Sequence, residues 1–287
     1  MEQHCVLLKL DHSESDMTKQ QFTEQLLPGL VSVTFRSLAP RDIVELVAQA
    51  RLAGIEWGGD VHVPPGDLAR AREVGQMTCD AGLAVAAYGS YYEVGRRETD
   101  ESSFAQVLDT ALALGAPLIR VWAGSRGSAD ADDAYRRWVA EEACRIAAAA
   151  AGAGIAVAFE FHCGTLTDST ASAAALLAAT ASAGMHCYWQ PPVGWTPTER
   201  LAALHTVLPY LANLHVYHWA TVADRRPLME GAEEWHTYFT TVASSRQSPC
   251  WALLEFVRDD DPNHFLADAR ALLDLLVRVR APRSSRI

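Results

Sequence analysis

The chain has 287 residues, 49% of them hydrophobic and 21% charged, enough for one large domain or two small ones with a substantial core. Its formal net charge of -11 argues against phosphate-backbone binding as the main function, since nucleic-acid binders present a basic patch or stripe. Only two lysines occur, Lys9 and Lys19, both in the polar N-terminal arm. Schiff-base chemistry, pyridoxal phosphate attachment and a P-loop each need a lysine in a structured pocket and are therefore excluded.

Residues 1–28 read as an arm of mixed polarity, and "MEQHCVLLKLDHSESD" is too polar for a signal peptide. No apolar run is long enough to span a bilayer, so no membrane partner is expected and the expected location is cytoplasmic. From Leu30 onward, short apolar runs alternate with helical patterns. The first pair is "LVSVTFRSL" (30–38) and a helix near 41–53, opened by "AP" and Asp42. "GIEWGGD" (54–60), "LAVAAYGSYY" (83–92) and "PLIRVWAG" (117–124) follow as strands, with helices near 67–81, 101–114 and 133–151. "IAVAFEFH" (155–162) precedes a helix near 168–183 that Asp168 and Ser169 open. "HCYWQPP" (186–192), "LANLHVYHW" (211–219) and "CWALLEFV" (250–257) complete the strands, with helices near 198–208, 232–245 and 262–280.

Glycines in "AGI", "AGL" and "LGA" mark helix-to-strand turns. The GxG of "AGAGIAVAF" lies between helix and strand, whereas a dinucleotide loop leads from strand into helix. "AGSRG" has the wrong spacing for a nucleophile elbow. The six cysteines, at 5, 79, 144, 163, 187 and 250, form no CxxC pair and read as reduced thiols.

Eight strand–helix units match a (β/α)8 TIM barrel in count and length, although an open doubly wound sheet has the same elements. Polar residues favour the barrel. In "FEFHCGTL" the bulky Val157, Phe159 and Phe161 share one face, while Glu160 and His162 lie on the other with Ala156 and Ala158. Glu160, Gln190, His215 and Glu255 all fall near the C-terminal ends of strands five to eight, the face on which barrel active sites are built. Tyr188 shares a face with Gln190, and His215 with Tyr217. Two readings fit this set. The four side chains converge on a divalent cation, for which so oxygen-rich a set suits Mn2+, Mg2+ or Co2+; or the two glutamates sit in buried ion pairs, with Arg120 as a candidate partner.

The segments "GIEWGGDVHVPPGDL", "FEFHCGTLTDST", "YWQPPVGWTPTERLAAL", "LHVYHW" with "RRPLMEGAEEW", and "LLEFVRDDDPNHFLADARAL" resemble the xylose isomerase-like TIM-barrel superfamily, often called sugar phosphate isomerase/epimerase. The likeness runs from about Leu30 to Leu276 and implies a barrel over 29–281, between the arm at 1–28 and a tail at 282–287. It also implies a divalent ion held by Glu160, the position of Gln190, His215 and Glu255. Many members carry aspartate where Gln190 stands, and an acidic residue often stands where His218 does.

The resemblance further implies that Glu160 and Glu255 act as acid–base pair as well as ligands, exchanging a proton through an enediolate of a sugar or related polyhydroxylated substrate. A lyase or dehydratase, including the C-glycoside-cleaving type, and a non-catalytic sugar- or partner-binding barrel are the alternatives. His62, in a proline-rich loop, reads as a substrate or rim residue. His162 reads as a substrate contact or a group that orients a ligand. His218 reads as a substrate contact or a cap. Tyr88, Trp122, Trp57 and Trp219 are candidate pocket walls, with ordinary packing as the alternative. Arg225 and Arg226 are candidates for a substrate hydroxyl or anionic group, with a solvated salt bridge as the alternative. The expected partner is a small carbohydrate-like molecule, with homo-oligomerisation left open.

Overall fold

The computed structural model describes residues 25–96, 103–246 and 248–279. Most of the arm read over 1–28, and the tail at 282–287, lie outside the described residues. Eight parallel strands form the sheet: β1 (Leu26–Val31), β2 (Gly54–Gly58), β3 (Ala84–Glu93), β4 (Leu118–Trp122), β5 (Ala156–Phe159), β6 (His186–Trp189), β7 (Leu211–Val216) and β10 (Cys250–Leu254). Their order, β1-β10-β7-β6-β5-β4-β3-β2, closes on itself through the β1–β2 pair, so the sheet is a barrel rather than an open doubly wound sheet. A short antiparallel ladder of β8 (His218–Trp219) and β9 (Arg225–Arg226) follows β7.

The helices are α1 (Pro40–Gln49), α2 (Leu68–Asp80), α3 (Phe104–Leu114), α4 (Asp133–Gly152), α5 (Thr170–Thr180), α6 (Pro197–Val207), α7 (Ala232–Ser245) and α8 (Pro262–Arg278). Side chains start several of them by accepting an otherwise unpaired backbone N–H, as Asp67, Asp132 and Asp261 do. Ser103 and Thr196 form full capping boxes with Gln106 and Glu199. Asp168 instead joins two loops. Its Oδ2 accepts from the Ser128 N–H at 2.9 Å and so ties the loop after β4 to the loop after β5.

Two strand expectations shift. The first strand begins at Leu26, four residues before the apolar run at 30–38, because Pro28 and Gly29 belong to the ladder rather than to a turn. Pro28 lacks only a donor; its carbonyl accepts from the Ala53 N–H at 2.8 Å. Gly29 faces the barrel interior, where an added Cβ would lie 2.6 Å from the Leu253 side chain. The chain then turns through a 3-10 segment at Ser32–Phe35.

In β3 the register slips between the partners of Ile55 and Glu56, so one extra residue enters the strand. Ala86 and Ala87 consequently both pack in the inner core, and the alternation beyond them is reversed. Tyr88 therefore points outward.

The core has two layers. Val31, Val33, Ala86, Ala87, Ala158, Tyr188 and Leu253 fill the barrel. A larger layer, including Ile55, Trp57, Tyr88, Ile119, Val157, Phe159 and Trp189, packs against the helices. Among the described residues no helix is long and apolar enough to cross a membrane, and the cysteines at 144, 163, 187 and 250 are unbridged.

Candidate active site

The strand ends that carry charge carry it inward. In β2 the bulky Ile55 and Trp57 face the helices, while Glu56 between them enters the barrel, the same alternation that places Glu160 inside after Phe159. Small residues make the room. At Gly89, an added Cβ would lie 2.6 Å from Arg120 Nη2 and 2.8 Å from Glu56 Oε1. Ala158, beside Arg120 in the β4–β5 ladder, also keeps its neighbour's space open.

Glu160, His215 and Glu255 converge at the C-terminal mouth, each offering a ligand atom within 4.8 Å of the others. His215 Nδ1 lies 3.4 Å from Glu255 Oε2 and 3.7 Å from Glu160 Oε1. The Gln190 amide completes the ring: its Oε1 is 3.0 Å from His215 Nδ1, and its Nε2 donates to Glu160 Oε1 at 3.4 Å. All four residues are buried. Behind them lies a second charged layer. Arg120, only 1% exposed, donates through Nε to Glu56 Oε1 at 2.7 Å and through Nη1 to Glu160 Oε2. Trp122 Nε1 donates to the same Glu160 oxygen at 2.9 Å. Beneath, Tyr188 packs edge-on to His215 and its hydroxyl accepts from Asn213 Nδ2 at 2.8 Å.

Glu160 is paired with Arg120 and also belongs to the convergent set, whereas Glu255 faces His215. The electrostatics favour an added cation. Glu56, Glu160 and Glu255 face one guanidinium, so the cluster is formally anionic when His215 is neutral. Burial opposes a charge on His215, yet Glu255 and then Glu56 outweigh it and raise its pKa to about 10. Burial likewise disfavours ionised Glu56, but Arg120 and His215 prevail and hold its pKa at about 2. Glu160 is held below its ordinary value against the same burial cost, chiefly by Arg120. Glu160, His215 and Glu255, which gather this negative charge around one buried imidazole, are the residues that could hold a cation. Two carboxylates, an amide oxygen and one imidazole fit Mn2+, Mg2+ or Co2+.

The family model described as xylose isomerase-like TIM barrel matches residues 44–276. The chain belongs to that family. No curated protein matches it in sequence. Among solved structures, the probable 3-DHS dehydratase AsbF from Bacillus anthracis superposes with a TM-score of 0.71 at 18% identity, over 87% of this chain and 98% of that one. A xylose isomerase-like TIM barrel protein from Mycobacterium smegmatis, in complex with magnesium, gives 0.68 at 15% identity over 89% and 98%. A D-allulose 3-epimerase from Methylomonas sp., in complex with D-allulose, gives 0.64 at 11% identity over 88% and 98%. These likenesses establish the barrel fold.

Other expected site residues divide between the mouth of this family barrel and its periphery. Trp122 stacks on His162, with ring centroids 4.9 Å apart, so both stand beside Glu160. Arg225 donates to Asp260 Oδ1 at 2.6 Å, with its guanidinium over Trp219 and Phe256, at the edge of the same mouth. Trp219 itself stacks on Tyr217, whose hydroxyl donates to the Pro191 carbonyl at 3.0 Å.

Several expectations are corrected. Tyr88 is not a pocket wall: the β3 bulge turns it to the helix layer, where its hydroxyl donates to the Val63 carbonyl at 2.8 Å. Trp57 faces the same layer and donates to Thr78 Oγ1. His62 is buried to 2% exposure against Ser32 and the edge of Trp57, rather than open at the rim. His218 turns away from the cluster. Its ring packs on Gly231, and the charges that act on it belong to Glu234, Glu230, Arg226 and Arg200. Arg226 pairs with Asp224 in solvent.

Sequence reasoning misses Glu56, although the alternation in "GIEWGGD" is the same signal that singles out Glu160. It misses Tyr91 too. The Tyr91 ring lies 5.3 Å from the Arg120 guanidinium and its hydroxyl accepts from Arg36 at 3.2 Å. This residue holds φ at 58°, a backbone state disfavoured for a bulky side chain, at the upper end of β3.

Proposed function

We propose that this barrel is a divalent-metal-dependent isomerase or epimerase that moves a proton next to the carbonyl of a sugar or related polyhydroxylated substrate, through an enediolate. The observation that carries the reading is the convergence of Glu160, His215 and Glu255 at the barrel mouth. Glu160, Gln190, His215 and Glu255 would hold the cation. When bound, it would polarise the substrate carbonyl and so acidify the neighbouring C–H.

The residues divide the remaining work. Glu160 Oε2 is occupied by Arg120 and Trp122, so that side chain is anchored and its Oε1 alone faces the cluster. Glu255 is the less restrained carboxylate and is assigned proton abstraction; in an isomerase it would return the same proton to the neighbouring carbon, whereas in an epimerase Glu160 Oε1, ionised beside Arg120, would first take a proton from solvent and then deliver it from the other side of the substrate. Trp122 and His162 would form an aromatic wall. Arg225, tethered by Asp260, would supply hydrogen-bond donors to a hydroxyl at the outer end.

A dehydratase or lyase is the second reading, supported by the similarity to the probable 3-DHS dehydratase. The same abstraction beside a carbonyl, followed by departure of a group one carbon further on, would give that outcome. The experiment is a screen of ketoses and hydroxylated carbonyl compounds for solvent deuterium incorporation, before and after chelation. Chelation is expected to abolish exchange, and Mn2+, Co2+ or Mg2+ to restore it. Full exchange in protein shown by elemental analysis to be metal-free would overturn the reading. Net loss of water from the substrate would select the dehydratase, and metal-dependent binding with no turnover of any compound would select a binding barrel.

A further inference from the structure

We infer that Glu56 and Arg120 are positioning residues for the cation site. Glu56 holds His215 from behind, so that Nδ1 is the ligating nitrogen, and Arg120 couples Glu56 to Glu160, so that two ligands from different strands are set together. This rests on the reading that the cluster binds a divalent cation.

The two ring nitrogens of His215 have opposite surroundings. Nδ1 faces Gln190 Oε1 at 3.0 Å, Glu255 Oε2 at 3.4 Å and Glu160 Oε1 at 3.7 Å. Nε2 faces Glu56 Oε1 at 3.6 Å and has no hydrogen-bond partner, although the residue is fully buried. Glu56 is equally buried, and its Oε2 is also unpartnered. A neutral imidazole has one N–H and one lone pair. If Nδ1 gives its lone pair to a cation, the proton must sit on Nε2, and Glu56 is the acceptor before it. A separation of 3.6 Å exceeds a hydrogen bond by a few tenths of an ångström, a distance that a small rotation of the ring toward Glu56 removes. The opposite tautomer would put a hydrogen into the cluster and leave no lone pair there. A carboxylate behind a metal-ligating histidine fixes the tautomer and ring orientation and raises the ligand's basicity.

Arg120 makes this more than a local contact. The same guanidinium binds Glu56 through Nε and Glu160 through Nη1, and it is buried between them. One end of the relay thus meets a ligating histidine on β7, and the other a ligating glutamate at the end of β5. Gly89 leaves the volume that the pair fills. An ion pair serving the core alone has no need to terminate on two ligands.

The test uses the full chain and the metal alone. In long-range 1H–15N spectra of Zn2+-loaded parent protein, His215 is expected to carry its proton on Nε2 with Nδ1 metal-bound. Metal bound at Nε2 with a proton on Nδ1 would overturn the assignment. Glu56→Gln, which keeps the size and one oxygen, is expected to bind Mn2+ and Zn2+ about 10–100-fold more weakly by calorimetry. Glu56→Asp should recover part of that loss. Should Glu56→Gln fail to fold, the parent spectrum still decides. A folded Glu56→Gln protein with parental affinity would overturn the positioning role while leaving the proposed function intact. A parent that binds neither ion would overturn the proposed function, and this assignment with it.

Discussion

Glu160→Gln and Glu255→Gln are near-isosteric changes to two carboxylates of one cluster, and the structure separates their consequences. Removing the Glu160 charge leaves Arg120, 1% exposed, with Glu56 as its remaining carboxylate partner. Breaking a buried pair by deleting one partner costs about 3–5 kcal/mol, and the surviving Glu56 contact sets the expectation at the lower end, about 3 kcal/mol. For a chain of this size about 1 kcal/mol corresponds to roughly 2 °C, so the melting temperature of Glu160→Gln should fall by about 6 °C. Glu255 faces His215 instead, and an imidazole left without its carboxylate can shed its proton as a guanidinium cannot, so Glu255→Gln should fall less far below the parent than Glu160→Gln. Melting is followed by circular dichroism in the presence of chelator, because bound metal would stabilise each protein by its own amount. Solvent deuterium exchange on metal-loaded protein provides the second readout, and both variants should lose about a hundredfold or more. A Glu160→Gln protein that melts with the parent, or a Glu255→Gln protein that falls as far as Glu160→Gln, would refute the assignment of Arg120 to Glu160.

Three further outcomes are expected. Gln190→Asp should keep or tighten metal binding, since it returns a carboxylate to a position now held by an amide, while Gln190→Leu should weaken it; parental calorimetry for both would remove Gln190 from the ligands. In metal-free protein, His215 has a folded pKa of about 10 against an ordinary 6.5, so its contribution to stability is fully present below about pH 6.5 and is lost as pH rises through 10. On the proposed ligand role of His215 a metal would replace that proton, so the rise in melting temperature on adding Mn2+ should be larger at about pH 9 than at about pH 6, and the reverse trend would contradict that role. Tyr88→Phe should cost about 1 kcal/mol by leaving the Val63 carbonyl unpaired, with unchanged exchange kinetics; a change in KM would return Tyr88 to the pocket.

Much of this site was legible in the order of residues because strand alternation is a local property. Bulky side chains on one parity and Glu160 on the other suffice to aim a carboxylate into a barrel. Equivalent placement of Gln190, His215 and Glu255 at successive strand ends needs only the count of strand–helix units. The same alternation in "GIEWGGD" held Glu56, but nothing local says what an inward charge on the second strand will meet. Its partners lie 64 residues away in Arg120 and at His215 on the seventh barrel strand.

Tyr88 marks the other boundary. Parity along "LAVAAYGSYY" is set by β3's pairing with β2, where one extra residue reverses the face of everything beyond it. Two alanines small enough to share the interior allow that bulge without announcing it. The barrel's repeating units, the inward polarity of the later strand ends and the chemical type of the donors are all written locally along the chain, because these depend on neighbours one or two residues apart. Tertiary structure decided the closure of the sheet, the outward turn of Tyr88 and the burial of His62. It also decided the union of Glu56, Arg120, Glu160 and His215, because charges on separate strands meet only where the curvature and register of the closed sheet bring them across the same interior.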